Sequence, residues 1–206
     1  MQPLDTHRPL IDHLRRFFGS RLSICRFEVA DRFALPETFQ IARFDPGEDE
    51  GFVAEVRAGP RRLKLHVYAT LGLAEVAGPP RIELFVLAPF EYPPLADMLA
   101  AVALRHALGQ EGGGRRLGAG HSVGLGGPWM LDSACTRGLV SLPYLYGPAL
   151  EQGPLDRQGH QLRVFWLLPI TPEEDGFKAS SGLEALEELF ATAGINTADP
   201  HRPSVI

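Results

Sequence analysis

The stretch LRVFWLLPITPEE, residues 162 to 174, constrains the fold more than any other part of the chain. Leu162–Leu168 is an apolar run broken only by Arg163, the pattern of a central strand covered on both faces. Thr171-Pro172-Glu173-Glu174 follows, with a threonine N-cap, a proline in the first helical position and a glutamate three residues on. That is a capping box, and it starts a helix. Ser181-Gly182-Leu183-Glu184 repeats the cap signal, and Leu183, Leu186, Leu189 and Phe190 form the stripe of a last helix stopped by Gly194. The tail DPHRPSVI reads as an extended arm.

Upstream, Leu10, Ile11, Leu14, Phe17 and Phe18 make one apolar stripe at helical period, with Arg8, Asp12, Arg15 and Arg16 opposite. Asp5 or Thr6 can cap that helix, and Gly19 suits its end. Ser23–Ala30, Phe39–Phe44, Phe52–Arg57, Leu63–Ala69 and Ile82–Leu87 read as short strands separated by Gly, Pro and Asp. In the fourth, Leu63, Leu65, Val67 and Ala69 alternate with Lys64, His66 and Tyr68, predicting one buried and one wet face. The tight spacing favours antiparallel pairing. Pro93-Pro94 opens a helix carrying Leu95, Met98, Leu99 and Val102, closed by Gly109. The glycine-rich residues 110–128 suit turns, bulges or a mobile loop. Leu139–Tyr146 reads as a strand demoted to an edge or interrupted by Pro143. The fold expected is a mixed α/β domain of the α+β type, a mostly antiparallel sheet flanked by helices, with residues 1–206 forming one compact domain.

Composition narrows the function classes. A chain of 206 residues can bury a sufficient core without metals or disulfides. The formal net charge of −5 argues against a general nucleic-acid binder. No apolar stretch reaches membrane-span length, and the charged amino terminus is unlike a secretory leader. The two cysteines, Cys25 and Cys135, form no CxxC and no disulfide framework, so a reduced, cytoplasmic protein is expected.

Gly120-His121-Ser122-Val123-Gly124 satisfies G-x-S-x-G, the nucleophile elbow of serine hydrolases. Asp132 or Asp156 and then His160 or His201 supply the chain order a triad would need. The context opposes that esterase or thioesterase alternative. An elbow follows a buried strand and opens a helix, whereas EGGGRRLGAG precedes Ser122 and LGGPW follows it. Gly112–Gly120 lacks the Gly-Lys-Ser/Thr of a phosphate loop, and Gly118-x-Gly120-x-x-x-Gly124 misses the dinucleotide glycine spacing by one residue. The seven histidines form neither HExxH nor HxH, and His66 reads as an isolated surface residue, so no metal or cofactor is expected. Glu48-Asp49-Glu50, Glu173-Glu174-Asp175 and Glu187-Glu188 read as a charged turn, a helix N-terminus and a solvated helix face.

From Leu63 onward the chain resembles the suppressor-of-fused family. The resemblance is carried by Tyr68-Ala69-Thr70-Leu71-Gly72-Leu73, the Arg81–Leu87 strand with Glu83-Leu84, and the helix of residues 93–108. The Gly120-His121-Ser122 turn, Leu167–Glu174, Gly182–Leu186 and the closing Arg202-Pro203-Ser204-Val205 complete it. It implies a mostly antiparallel sheet flanked by helices, no known catalysis, and a partner that is another protein. The animal member holds a transcription factor through a peptide strand; stand-alone bacterial members include predicted immunity proteins against toxins. The acidic residue that precedes the turn histidine in the animal protein appears here as Gly120. A partner strand could pair with an exposed edge, and the candidate partner-binding residues are Gly120, His121, Trp129, Leu139, Tyr144 and Tyr146.

Overall fold

A computed structural model describes residues 3–47, 52–56, 59–76, 78–109, 115–156 and 158–206. The acidic turn Glu48-Asp49-Glu50 and the glycines at 112–114 lie outside the described residues. The helices are α1 (Pro3–Thr6), α2 (Arg8–Phe18), α3 (Pro94–Ala107), α4 (Pro148–Glu151), α5 (Pro172–Ser181) and α6 (Leu183–Ala193). The strands are β1 (Arg21–Cys25), β2 (Gln40–Asp45), β3 (Phe52–Val56), β4 (Gly59–Leu63), β5 (His66–Leu71) and β6 (Ile82–Ala88). They continue as β7 (Ser122–Gly124), β8 (Arg137–Ser141), β9 (Gln152–Leu155) and β10 (Gln161–Ile170). Eight strands form one sheet in the order β1-β2-β5-β6-β10-β8-β7, with β9 also on β10, while β3 and β4 pair as a separate hairpin. The pair β6–β10 is parallel and the other pairs are antiparallel.

The centre of the sheet, from β2 to β8, is buried on both faces, and period-2 alternation assigns each side chain to a face. Leu84, Val86, Phe165, Leu167 and Val140 pack with the Leu95, Leu99 and Val102 stripe of α3. Phe85, Leu87, Val164, Trp166, Leu168 and Leu139 pack with Leu10, Ile11, Leu14 and Phe18 of α2 and with Leu186 of α6. The expected central strand is β10, and both of its sheet neighbours and both of its faces are covered.

Three expectations are corrected. In β5 every residue from Val67 to Leu71 is buried, so the alternation expected of Lys64, His66 and Tyr68 does not mark a wet face. Tyr68 is tolerated inside because its phenol accepts the Tyr92 amide at 2.9 Å. The strand of residues 137–141 is interior, between β10 and β7, and Pro143 lies beyond its end. The break expected between Arg57 and Leu63 instead holds a strand, β4, which takes in Leu63. His66 stands at the β5 start, bonded to Asp45 at 2.8 Å.

Two buried carboxylates tie the fold together. Glu174 closes the expected capping box with Thr171 and also pairs with Arg202 of the tail, both side chains being buried. Glu83 accepts from the backbone amides of Gly72, Leu73 and Ala74.

Candidate protein-binding edge

The described sheet ends at β7, and the way the chain enters β7 determines what that edge presents. Ala119 and Gly120 turn the chain, with His121 N–H donating to Gly118 O at 3.0 Å. Gly120 has φ +80°, which suits the third position of a type II turn. Its N–H donates to Val140 O at 2.8 Å, and Val140 N–H donates to His121 O at 2.8 Å. Two residues of one strand therefore oppose one residue of β8, a β-bulge with glycine in the left-handed position. Gly120→Ala forces a side chain onto that φ, so unfolding should become easier by about 1–2 kcal/mol in a urea titration. A change below a few tenths would mean that the turn relaxes.

The entry is anchored from three sides. His106 lies buried in α3 and its Nδ1 accepts the Leu117 amide at 3.1 Å; burial, reinforced by the Arg116 charge, lowers its pKa to about 4 and keeps it neutral for that role. Arg116 donates to Gly78 O at 2.7 Å. His121 Nδ1 stands 3.1 Å from the Gly118 amide and 3.0 Å from Arg116 O. From the other face, Lys178 of α5 donates to Gly120 O at 3.0 Å and meets Ser122 Oγ.

Register decides which backbone groups face out. Ser122, Val123 and Gly124 oppose Leu139, Gly138 and Arg137. His121 and Leu125 point their ladder groups at β8, the latter donating to Thr136 O at 3.0 Å. By alternation Val123 does the same, and the N–H and C=O groups of Ser122 and Gly124 point away from the sheet. The described residues place no further strand outside them. The result is a short, braced row of outward donors and acceptors.

The predicted partner-binding residues divide. Gly120 and His121 form the turn beside this edge. Leu139 is fully buried in interior strand β8 and is no edge residue. Trp129 is also core, packed with Met130 and Cys135. Tyr146 stacks edge-on against Phe18 at 5.1 Å and Phe85 at 6.0 Å, and burial pushes its pKa up to about 12. Tyr144 is 57% exposed and donates to Glu187 Oε1 at 2.9 Å; partial burial and then Glu187 raise its pKa to about 12. A β-carbon on Gly120 would lie 3.5 Å from Leu183, one turn of α6 from Glu187, so Tyr144 and the turn flank the same helix. Sequence reasoning missed Lys178, Arg137 and Asp175, which converge here only through tertiary packing. Their signal was confined to a lysine late in a capped helix.

Among the described residues, Ser122 is not joined to a histidine and carboxylate as a triad would require. Ser122 lies in a strand, and its recorded partner is Lys178. Asp156 and His160 meet at 3.3 Å within the β9–β10 turn, where Arg81 also holds Asp156. Among the described residues no group of three or more His, Cys, Asp or Glu is placed to hold a metal ion. No described helix is long and apolar enough to cross a membrane.

These features define an α+β domain with one broad mixed sheet and a braced open edge. The family model for the suppressor of fused protein matches residues 36–203, and the chain belongs to that family. A suppressor-of-fused homologue from Neisseria gonorrhoeae FA 1090 is 30% identical, with 98% of each chain covered and a TM-score of 0.76. The structure of a Sufu–Fu complex matches at a TM-score of 0.59 and 14% identity, over 97% of this chain and 92% of that one, a likeness of fold. No curated protein matches the sequence.

Proposed function

We propose that this chain is a non-enzymatic protein-binding module that receives a strand of its partner along the open edge of β7. The outward backbone groups of Ser122 and Gly124 carry the reading. Strand addition draws affinity from such groups and specificity from the side chains that flank them. At the opposite end of the sheet, β1 carries Arg21 and leads into Arg26, edge charges of the kind that discourage pairing. The complex of Sufu with Fu supports the protein-binding part of the reading. In biological terms the module is a cytoplasmic immunity protein, with residues 1–206 acting as one domain, that binds and neutralises a toxin. The net charge of −5 speeds encounter with a basic toxin, an effect that salt weakens.

Gly124→Pro removes an outward N–H and leaves the β8 ladder its bonds; its ring also displaces the exposed Arg137 guanidinium, so Arg137→Gln is the control that isolates the lost N–H. Co-expression with the toxin encoded beside this gene should restore growth for the natural chain and fail for Gly124→Pro at an unchanged melting temperature. Rescue that survives Gly124→Pro would refute edge pairing, and no adjacent toxin or no rescue would refute the immunity role. A fluorophosphonate serine probe should leave the protein unlabelled; labelling that disappears in Ser122→Ala would make the protein a hydrolase.

A further inference from the structure

We infer that the strand received at β7 carries an aspartate or glutamate on the face it shares with Ser122 and Gly124. The inference rests on the strand-addition reading and adds the chemistry of the partner.

Ser122 and Gly124 are two apart in a strand, so their side-chain positions share one face. A cation stands at each. Lys178 Nζ meets the Ser122 hydroxyl, and a β-carbon built on Gly124 would lie 2.9 Å from Arg137 Nη1. The missing side chain at Gly124 is what gives the guanidinium its place. Both cations share one anion: Asp175 lies 3.6 Å from Lys178 Nζ and 3.9 Å from Arg137 Nε. Two positive charges against one, at separations near the limit of an ion pair, leave an excess of positive charge beside the edge. Arg137 has a side chain 46% exposed and can swing toward an arriving group.

Cross-strand neighbours bring their β-carbons to about 4.5–5.5 Å of each other. A side chain of the incoming strand that faces the same way as Ser122 or Gly124 therefore enters the reach of Lys178 and Arg137. A carboxylate there completes a second ion pair and accepts charge-assisted hydrogen bonds. A lysine or arginine there meets like charge at close range and is rejected. Leu183, against Gly120, gives the same face an apolar border. The chain as a whole is negative at −5, so the preference belongs to one position and is no general attraction for acidic proteins.

The test is selection from a displayed library of random octapeptides on the full chain, followed by binding measurements on the selected peptides. Selected peptides should carry Asp or Glu at one position, and changing that acid to its amide should weaken binding about 3- to 10-fold. Arg137→Gln should flatten that preference, and Lys178→Met should do the same. Arg137→Gln alters an exposed side chain with one loose partner, so it tests the charge even if Lys178→Met melts early. Peptides that lose binding in Gly124→Pro but show no acid preference would overturn this inference and leave strand addition standing. If no peptide is selected, or if binding persists in Gly124→Pro, strand addition falls and takes this inference with it.

Discussion

Arg202→Met should lower the unfolding free energy by about 3–5 kcal/mol, because it leaves the Glu174 carboxylate charged and buried with its cation gone. The pair is bidentate: Nη1 reaches Glu174 Oε1 and Nη2 reaches Oε2, each at 2.7 Å. Nη2 also donates to Pro169 O at 3.1 Å, the Val205 amide donates to Glu174 Oε1 at 3.1 Å, and Thr171 shares a hydrogen bond with Ser204 at 3.1 Å. Arg202 thus ties the tail to the end of β10 and the start of α5. Burial opposes its charge, but the bonds to Glu174 keep its pKa above the ordinary arginine value. In a chain of this size the loss corresponds to a fall in Tm of roughly 10 °C. Adding Glu174→Gln to Arg202→Met should recover part of that stability, because no unpaired charge is then left inside. Chemical denaturation reads both variants. A single-variant loss below 1 kcal/mol, or a double variant no better than Arg202→Met, would mean that the site is hydrated and the pair is not a clamp.

The same helix links this clamp to the binding edge. α5 has Glu174 in its first turn and Lys178 one turn further on, so the clamp and the contact on Gly120 O are parts of one rigid element. Arg202→Met should therefore also speed amide exchange at Gly120 and His121, far along the chain from the substitution.

What the sequence made legible was local. The capping box needs only Thr171 to Glu174, and the Gly194 stop needs only its own φ of +58° at the helix end, so both were readable from neighbouring residues. The apolar run that became β10 was readable because burial on both faces removes all need for alternation. β5 misled because its polar-looking residues are satisfied inside by distant partners, Tyr68 by Tyr92 and Thr70 by Glu83. Pro143 misled because it marks the end of β8 and carries no information about what lies beside it. At the site, Gly120 was legible as a turn, but its bulge depends on Val140, and the Lys178–Asp175–Arg137 group exists only once α5 has packed on β8. Tyr144 and Trp129 have the same aromatic character in sequence; one is exposed and the other is core.

Glu83→Ala should cost about 3–5 kcal/mol, through a cavity and three backbone amides left without acceptors. Gly72 N donates to Oε1 at 2.9 Å, Ala74 N to Oε1 at 3.1 Å and Leu73 N to Oε2 at 3.3 Å, all within a carboxyl that is 1% exposed. Desolvation outweighs these donors and the Thr70 hydroxyl, and pushes the Glu83 pKa up to about 8. With that pKa the group is protonated in the fold at neutral pH, with the Thr70 hydroxyl and the Leu73 amide meeting Oε2 and the Gly72 and Ala74 amides meeting Oε1. An ordinary glutamate in the unfolded chain titrates near 4.5. Between that pH and about 8 the folded state holds a proton that the unfolded state has lost. Stability should therefore be fully present below the lower value and fall as pH rises, by up to about 1.4 kcal/mol per pH unit, levelling off above the upper one. Glu83→Gln copies the neutral acid in shape, keeps one oxygen for the amides and does not titrate, so it should cost less than Glu83→Ala and lack that slope. The measurement is the difference in unfolding free energy between the natural chain and Glu83→Gln across pH 5 to 7.5. If the natural chain gains on the variant as pH rises, Glu83 is ionised in the fold and the amide nest holds a carboxylate instead.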